Sequence, residues 1–292
     1  MSSNALKKIA LIAMVLDHIA LFLPGMPLYL RWIGRISMPL FLFVFVHSID
    51  NTKDRKAFAG RLYIFNALMA FLDLAYNIMP IPSERYYGIF VRLDTNIFGT
   101  FFALYVLILV IKKTIARSAH WKKILAAYIF WQAATVVFCT FVSIQLDDAY
   151  CLFFAAISGN IFFNEGRFFV IALGIALYFS KNQKWKCASW YSAVVLGNSV
   201  IILSQIIPRI YMHLSSNLLA DFIYCRIFGT LGYDVLRFEP PNFLTNEFEW
   251  MAMSALPLFL LYDGSKGRPH KYFYYVFYPC HIMAFALLGQ FL

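Results

Sequence analysis

Charged residues in this chain are spaced so that long apolar stretches lie between them. Ile124–Leu146, Cys187–Pro208 and Tyr272–Leu292 contain no Asp, Glu, Lys or Arg over 21 to 23 residues each. At ~1.5 Å per helical residue, such runs cross a hydrocarbon layer of ~30 Å. Shorter apolar runs, interrupted or flanked by single charges, fill most of the rest. The pattern predicts spans near 5–23, 36–49, 61–79, 93–111, 124–144, 167–180, 189–207, 248–262 and 272–291. The stretch "CLFFAAISGNIFF", 151–163, is too short to cross and is broken by Ser158, Gly159 and Asn160, which predicts a re-entrant or interfacial segment. Within 208–247, "SSNLLADFIYCRIFGTLGYDV" reads as an interfacial helix or as a further span. The expected fold is an all-α polytopic integral membrane protein with about nine transmembrane helices (8–10), in a single membrane-embedded domain over 1–292.

Composition agrees, since 61% of residues are hydrophobic, 14% are charged and the mean hydropathy is +0.67, values outside the range of an ordinary soluble domain. The first apolar run has no small-residue cleavage site and leads straight into more membrane sequence, so no cleavable signal peptide is expected. The net charge of +10 raises the question of nucleic acid. The basic residues sit in loops rather than in one stripe, which makes them topology determinants facing lipid and excludes nucleic acid as the expected partner. With the N-terminus inside, 17 of the 25 Lys and Arg residues face the cytoplasm, so a multi-pass protein with a cytoplasmic N-terminus is expected. The cysteines, Cys139, Cys151, Cys187, Cys225 and Cys280, form no CxxC pair and support neither a disulfide framework nor a metal site.

Against this apolar background a few polar groups stand out. Asp17 and His18 are adjacent inside the first span, where a carboxylate costs ~2.5 to 3.5 kcal/mol on insertion scales. His18 is twelve residues from Leu6, ~18 Å along the helix; Asp73 is twelve beyond Arg61; His281 is nine beyond Tyr272. Arg35 enters from the other side at the outer end of the second span. The level shared by these groups predicts a polar cavity. His47 lies near the inner end of its span and His120, His213 and His270 fall in loops or at interfaces, so they rank lower. A His assisted by a carboxylate can take a proton from an amine or hydroxyl attacking a carbonyl, while an Arg stabilises the oxyanion. Adjacent helical residues point ~100° apart, so Asp17 is expected to orient His281 or to pair with Arg35 rather than to hold His18. Asp73 as a simple neutraliser of Arg35 is the structural alternative. Pro279 is expected to kink the last span just before His281.

The segments "KKIALIAMVLDHIALFL", "LRWIGRISMPLFLFVF", "RLYIFNALMAF", "DTNIFGTFFAL" and "LYDGSKG…YFYYVFYPCHIM" resemble, in order and over nearly the whole chain, the TraX family. The match is weaker between Leu146 and Asn246, and Asp263–Gly264 stands where the family is expected to carry Asn-Gly. The resemblance implies a bacterial inner-membrane acyltransferase that acetylates pilin N-termini with acetyl-CoA. Carried over by motif, it points to Asp17, His18, Arg35 and His281 as catalytic positions, with Asp73 beside them from the depth argument. A polyanionic acetyl-CoA headgroup needs cytoplasmic cations, for which Lys53, Arg55, Arg61, Lys266, Arg268 and Lys271 are the candidates. No metal is expected. The expected acceptor is a pilin-like peptide amine at the outer face; the alternatives are an envelope glycan hydroxyl, a transporter with a polar midplane site, and a pilus-assembly scaffold without chemistry.

Overall fold

The computed structural model describes residues 1–79, 92–214, 218–233, 240–267 and 272–292. These residues form helices and connections with no strand among them, as the apolar pattern requires. The fold is that of a polytopic membrane protein. Five helical segments have the length and apolarity to cross a bilayer: Tyr29–Asn51, Arg55–Asn77, Ile97–Ile115, Trp121–Gln145 and Lys184–Leu203. The chain divides into two compact units, Met1–Asn51 with Ala172–Leu292, and Thr52–Ile171.

The first unit opens with α1 (Ser3–Phe22), capped by the Ser2 hydroxyl accepting from the Ala5 amide. Its buried residues, Leu6, Ala10, Ala13, Met14, His18 and Phe22, recur every three or four positions and so line one face. The second span expected at 36–49 is α3 (Ser37–Asn51), preceded by the short helix α2 (Tyr29–Gly34), and both pack on α1. After the second unit come α9 (Lys184–Leu203), α10 (Ile206–Leu214) and α11 (Leu218–Leu231). A 3₁₀ segment (Phe248–Ala255), α12 (Leu256–Leu260) and α13 (Phe273–Phe291) complete the unit. The α13 helix runs through Pro279 as one element and packs on α1. Gly289 is what permits this approach, because a Cβ there would collide with the Phe22 carbonyl oxygen. The segment before α13 also secures the start of α1: the Ser3 amide donates to the Ser265 carbonyl at 2.8 Å, and the Met1 amine lies 3.1 Å from Asp263.

The second unit contains α4 (Arg55–Asn77), α5 (Ile97–Ile115), α6 (Trp121–Gln145) and α7 (Asp148–Ser158). The short helix α7 is what the break at Ser158–Asn160 predicted: Gly159 takes a left-handed conformation, φ +66°, and stops it. The irregular backbone beyond it is satisfied by buried side chains. Gln132 Nε2 donates to the Gly159 carbonyl at 3.2 Å, and Gln132 Oε1 accepts from the Ile161 amide at 3.0 Å. Asn66 Nδ2 donates to Ala156 O at 2.7 Å, and Asn96 Nδ2 to Asn66 Oδ1 at 2.9 Å. Such bonds let non-helical chain persist away from water. The next helix, α8 (Arg167–Ser180), continues into the first unit. Its 14 residues rise about 21 Å, and the 13 residues of Phe248–Leu260, 3₁₀ over most of their length, rise about 23 Å. Their bounds are those expected near 167–180 and, to within two residues, 248–262.

Candidate functional site

Polar residues of the first unit meet where α1, α2, the 3₁₀ segment and α13 come together. Because His18 lies on the buried stripe of α1, and His281 lies beside Tyr278, Ile282 and Ala286 on the buried side of α13, packing the two helices brings the imidazoles into register. His18 Nδ1 is 2.8 Å from His281 Nε2, and the rings stack with centroids 5.0 Å apart. His281 Nδ1 lies 2.9 Å from the carbonyl oxygen of Phe277, one turn earlier. A carbonyl only accepts, so His281 Nδ1 donates; in the neutral ring its Nε2 then accepts, and His18 Nδ1 is the donor. This chain of two bonds leaves the lone pair of His18 on Nε2. Pro279 lies inside α13, two residues before His281.

Asp17 faces α2. Its carboxylate receives Arg35 Nη2 at 2.8 and 3.0 Å, and Arg31 Nε lies 3.4 Å away. Arg35 Nη1 reaches Glu249 of the 3₁₀ segment at 2.6 Å, and the guanidinium carbon stands 5.3 Å from the Phe248 ring. Arg31, in α2, and Arg35, which caps the C-terminal end of that helix, are one turn apart. The backbone of α2 comes close to Asp17 because residue 34 is glycine; any Cβ there would overlap the carboxylate side chain. Of the two roles open to Asp17, the structure therefore shows the pairing with Arg35, and the partner that orients His281 is the Phe277 carbonyl.

Asp73 has its described contacts within its own unit. It belongs to the second unit, where its carboxylate accepts from Thr95 Oγ1 at 3.4 Å. With Asp94, Asn77, Asn96, Asn164 and Glu165 it lines a small polar cavity of that unit. It does not neutralise Arg35, whose carboxylate partners are Asp17 and Glu249. Depth along a span, which was the argument for grouping Asp73 with the histidines, fixes a level but not a neighbour. His47 is turned to its own helix and donates to the Phe43 carbonyl at 2.8 Å.

The candidate cofactor cations are divided between the units. Lys53 and Arg55 are exposed at the start of α4, and Arg61 follows on that helix with its Nε buried and without a hydrogen-bond partner among the described residues. Lys266 is exposed in the turn before α13. Arg268 and Lys271 lie outside the described residues. No group of three His, Cys, Asp or Glu side chains suited to a metal occurs among the described residues. The sequence reading missed Arg31, Gly34 and Glu249. Arg31 carried a readable signal, since it precedes Arg35 by one helical turn; Glu249 lay in a segment read only as apolar.

Comparison with known proteins gives one family. The model of the TraX protein family matches residues 2–289. Over 71 residues the chain is 38% identical to a Dichelobacter nodosus protein described as "probable fimbrial assembly protein FimC, serogroup H1". That match covers 23% of this chain and 29% of the relative. No solved structure matches.

Proposed function

This chain belongs to the TraX family, and from that premise we propose that it is an acetyl-CoA-dependent acetyltransferase of the bacterial inner membrane. In this reading the N-terminus is cytoplasmic, the acetyl donor is used from the cytoplasmic side, and the acceptor is an amine at the outer face, a pilin-like N-terminus. The observation that carries the proposal is the buried His18–His281 pair, whose hydrogen bonds leave His18 Nε2 as a free base. The partial likeness to a protein named for fimbrial assembly favours a pilin-like peptide over an envelope glycan.

In the proposed reaction His18 Nε2 removes the proton from the acceptor nitrogen as that nitrogen bonds to the thioester carbonyl carbon. His281 stabilises the imidazolium through the shared hydrogen bond, and the Phe277 carbonyl keeps His281 in the required tautomer. As the carbonyl re-forms and the C–S bond breaks, His18 returns the proton to the departing thiolate. Acetyl-CoA, when bound, supplies the activated acyl group. Of the candidate cations, exposed Lys266 belongs to the same unit as the histidines and suits its phosphates.

The test uses purified protein in nanodiscs with labelled acetyl-CoA and a peptide bearing a free N-terminal amine. Wild type should bind acetyl-CoA, more weakly as salt screens the exposed cations, and should transfer label. His18→Ala should remain folded and bind the donor while transfer falls ~10² to 10⁴-fold. Unchanged specific activity in folded His18→Ala protein would remove the base from this position, and absence of binding by folded wild type would end the acetyltransferase reading.

A further inference from the structure

The two arginines of α2 differ in what they have left to offer. A guanidinium carries five N–H donors. Each of the three nitrogens of Arg35 is engaged: Nε with the Arg31 carbonyl at 3.3 Å, Nη1 with Glu249 at 2.6 Å, and Nη2 with the Asp17 carboxylate, whose two oxygens share one N–H. Its side chain is wedged between two acids and is 17% exposed. Arg35 is thus held by a protein acceptor at every nitrogen. Arg31 is in the opposite condition. Its Nε faces Asp17 at 3.4 Å, while Nη1 is buried and has no hydrogen-bond partner among the described residues.

An unpaired donor away from water is costly unless something supplies an acceptor. The position is also electrostatically suited to an acceptor that gains charge. Asp17 lies between two arginines, and its neighbour in sequence is the proposed base. Arg35, fixed from two sides, holds Asp17, and Asp17 holds the Nε edge of Arg31. That arrangement pre-orients the remaining edge before any substrate arrives.

We infer that Arg31, not Arg35, is the oxyanion donor of the site: its free Nη1 receives the acyl carbonyl oxygen, while Arg35 acts as a positioning residue through Asp17. As the acceptor nitrogen bonds to the carbonyl carbon, the C–O π pair moves onto oxygen, and Arg31 Nη1–H bonds to the resulting oxyanion. When that pair re-forms the double bond, the C–S pair leaves with the thiolate, which takes its proton from His18. The assignment rests on the acetyl-transfer reading and adds to it a residue that neither the resemblance nor the depth argument had placed in the site.

The experiment compares wild type with Arg31→Gln and Arg31→Lys, each purified full-length and checked for monodispersity and thermal unfolding. Two quantities are read: kcat and KM for transfer, and the carbonyl stretching frequency of isotope-labelled acetyl-CoA bound at saturation. In wild type the stretch should fall on binding. In Arg31→Gln the fall should disappear and kcat should drop ~10² to 10³-fold, with KM for acetyl-CoA nearly unchanged. Arg31→Lys keeps a charge beside Asp17 without the fork geometry; it should stay folded if the glutamine variant does not, and should recover only part of the rate. A folded Arg31 variant with wild-type kcat and a wild-type carbonyl shift overturns the assignment and leaves the acetyltransferase reading standing. Folded wild type that neither binds nor transfers overturns both.

Discussion

Replacing Gly34 with Ala tests whether the close approach of α2 to Asp17 governs the arginine cluster. A Cβ at residue 34 would overlap Asp17 Cβ and Oδ1 and lie 2.5 Å from Asp17 Cγ, where ordinary contact begins at 3.4 Å. Roughly 1 Å of extra separation must open between the helices, or the carboxylate must turn by as much; overpacking of this kind costs ~1–3 kcal/mol. Either response lengthens the Arg35 Nη2 bonds, now 2.8 and 3.0 Å, towards ~4 Å, outside hydrogen-bond reach. Loss of the pair would add to the strain, because both partners are largely buried, with side-chain exposures of 17% and 14%; breaking a buried pair costs ~3–5 kcal/mol, a ceiling for this partly exposed one. Thermal unfolding in detergent should therefore show Gly34→Ala less stable by at least ~1 kcal/mol. Gly60→Ala is the control: it has open space at its Cβ and lies within α4, so it should gain ~0.5–1 kcal/mol. Introducing Gly34→Ala into an Asp17→Gly background removes the obstacle, and the second change should then cost little. Additive losses in that double variant, or a Gly34→Ala protein as stable as wild type, would refute the packing argument.

Gly289→Ala meets the Phe22 backbone carbonyl rather than a side chain. It should push α13 from α1, lower the unfolding temperature and separate His281 from His18, so transfer should fall even though residue 289 is two turns from the histidine. In the turn before α13, hydrogen bonds from Ser265, together with the Met1 amine, hold the exposed Asp263 carboxylate down at about 2. A depressed carboxylate contributes stability above its ordinary value near ~3.9 and loses it as pH falls through the folded value. The difference in unfolding temperature between wild type and Asp263→Asn should therefore be present at pH 7 and should close between about pH 4 and 2. For topology, cysteines at Asn51, Ser118 and Ser265 should resist an impermeant thiol reagent in intact cells and one at Asn242 should react; labelling at Ser265 without lysis would reverse the proposed orientation.

The apolar pattern alone determined that this is a helical membrane protein, and it located most elements to within a few residues. Runs such as 124–144 have one stable outcome in lipid, a helix that satisfies its own backbone; α6, Trp121–Gln145, is that helix. The same logic marked Asp17, His18 and His281 as exceptional, since ionisable groups in such runs need a reason. Partner choice was decided only by tertiary structure. Sequence depth gave His18, His281 and Asp73 one level, but the packing of α1 on α13 joined the two histidines, while Asp73 bonded Thr95 within a different unit. Asp17 and His18 are neighbours in the chain and turn to different partners, because ~100° of helical rotation separates their side chains. Glu249 approaches Arg35 from 214 residues away, and Arg31 is distinguished from Arg35 only by the donors each has left unused. Hydrophobicity is a local property, readable residue by residue. Hydrogen-bond saturation depends on what the folded chain brings within 3 Å, and no span of sequence contains that information.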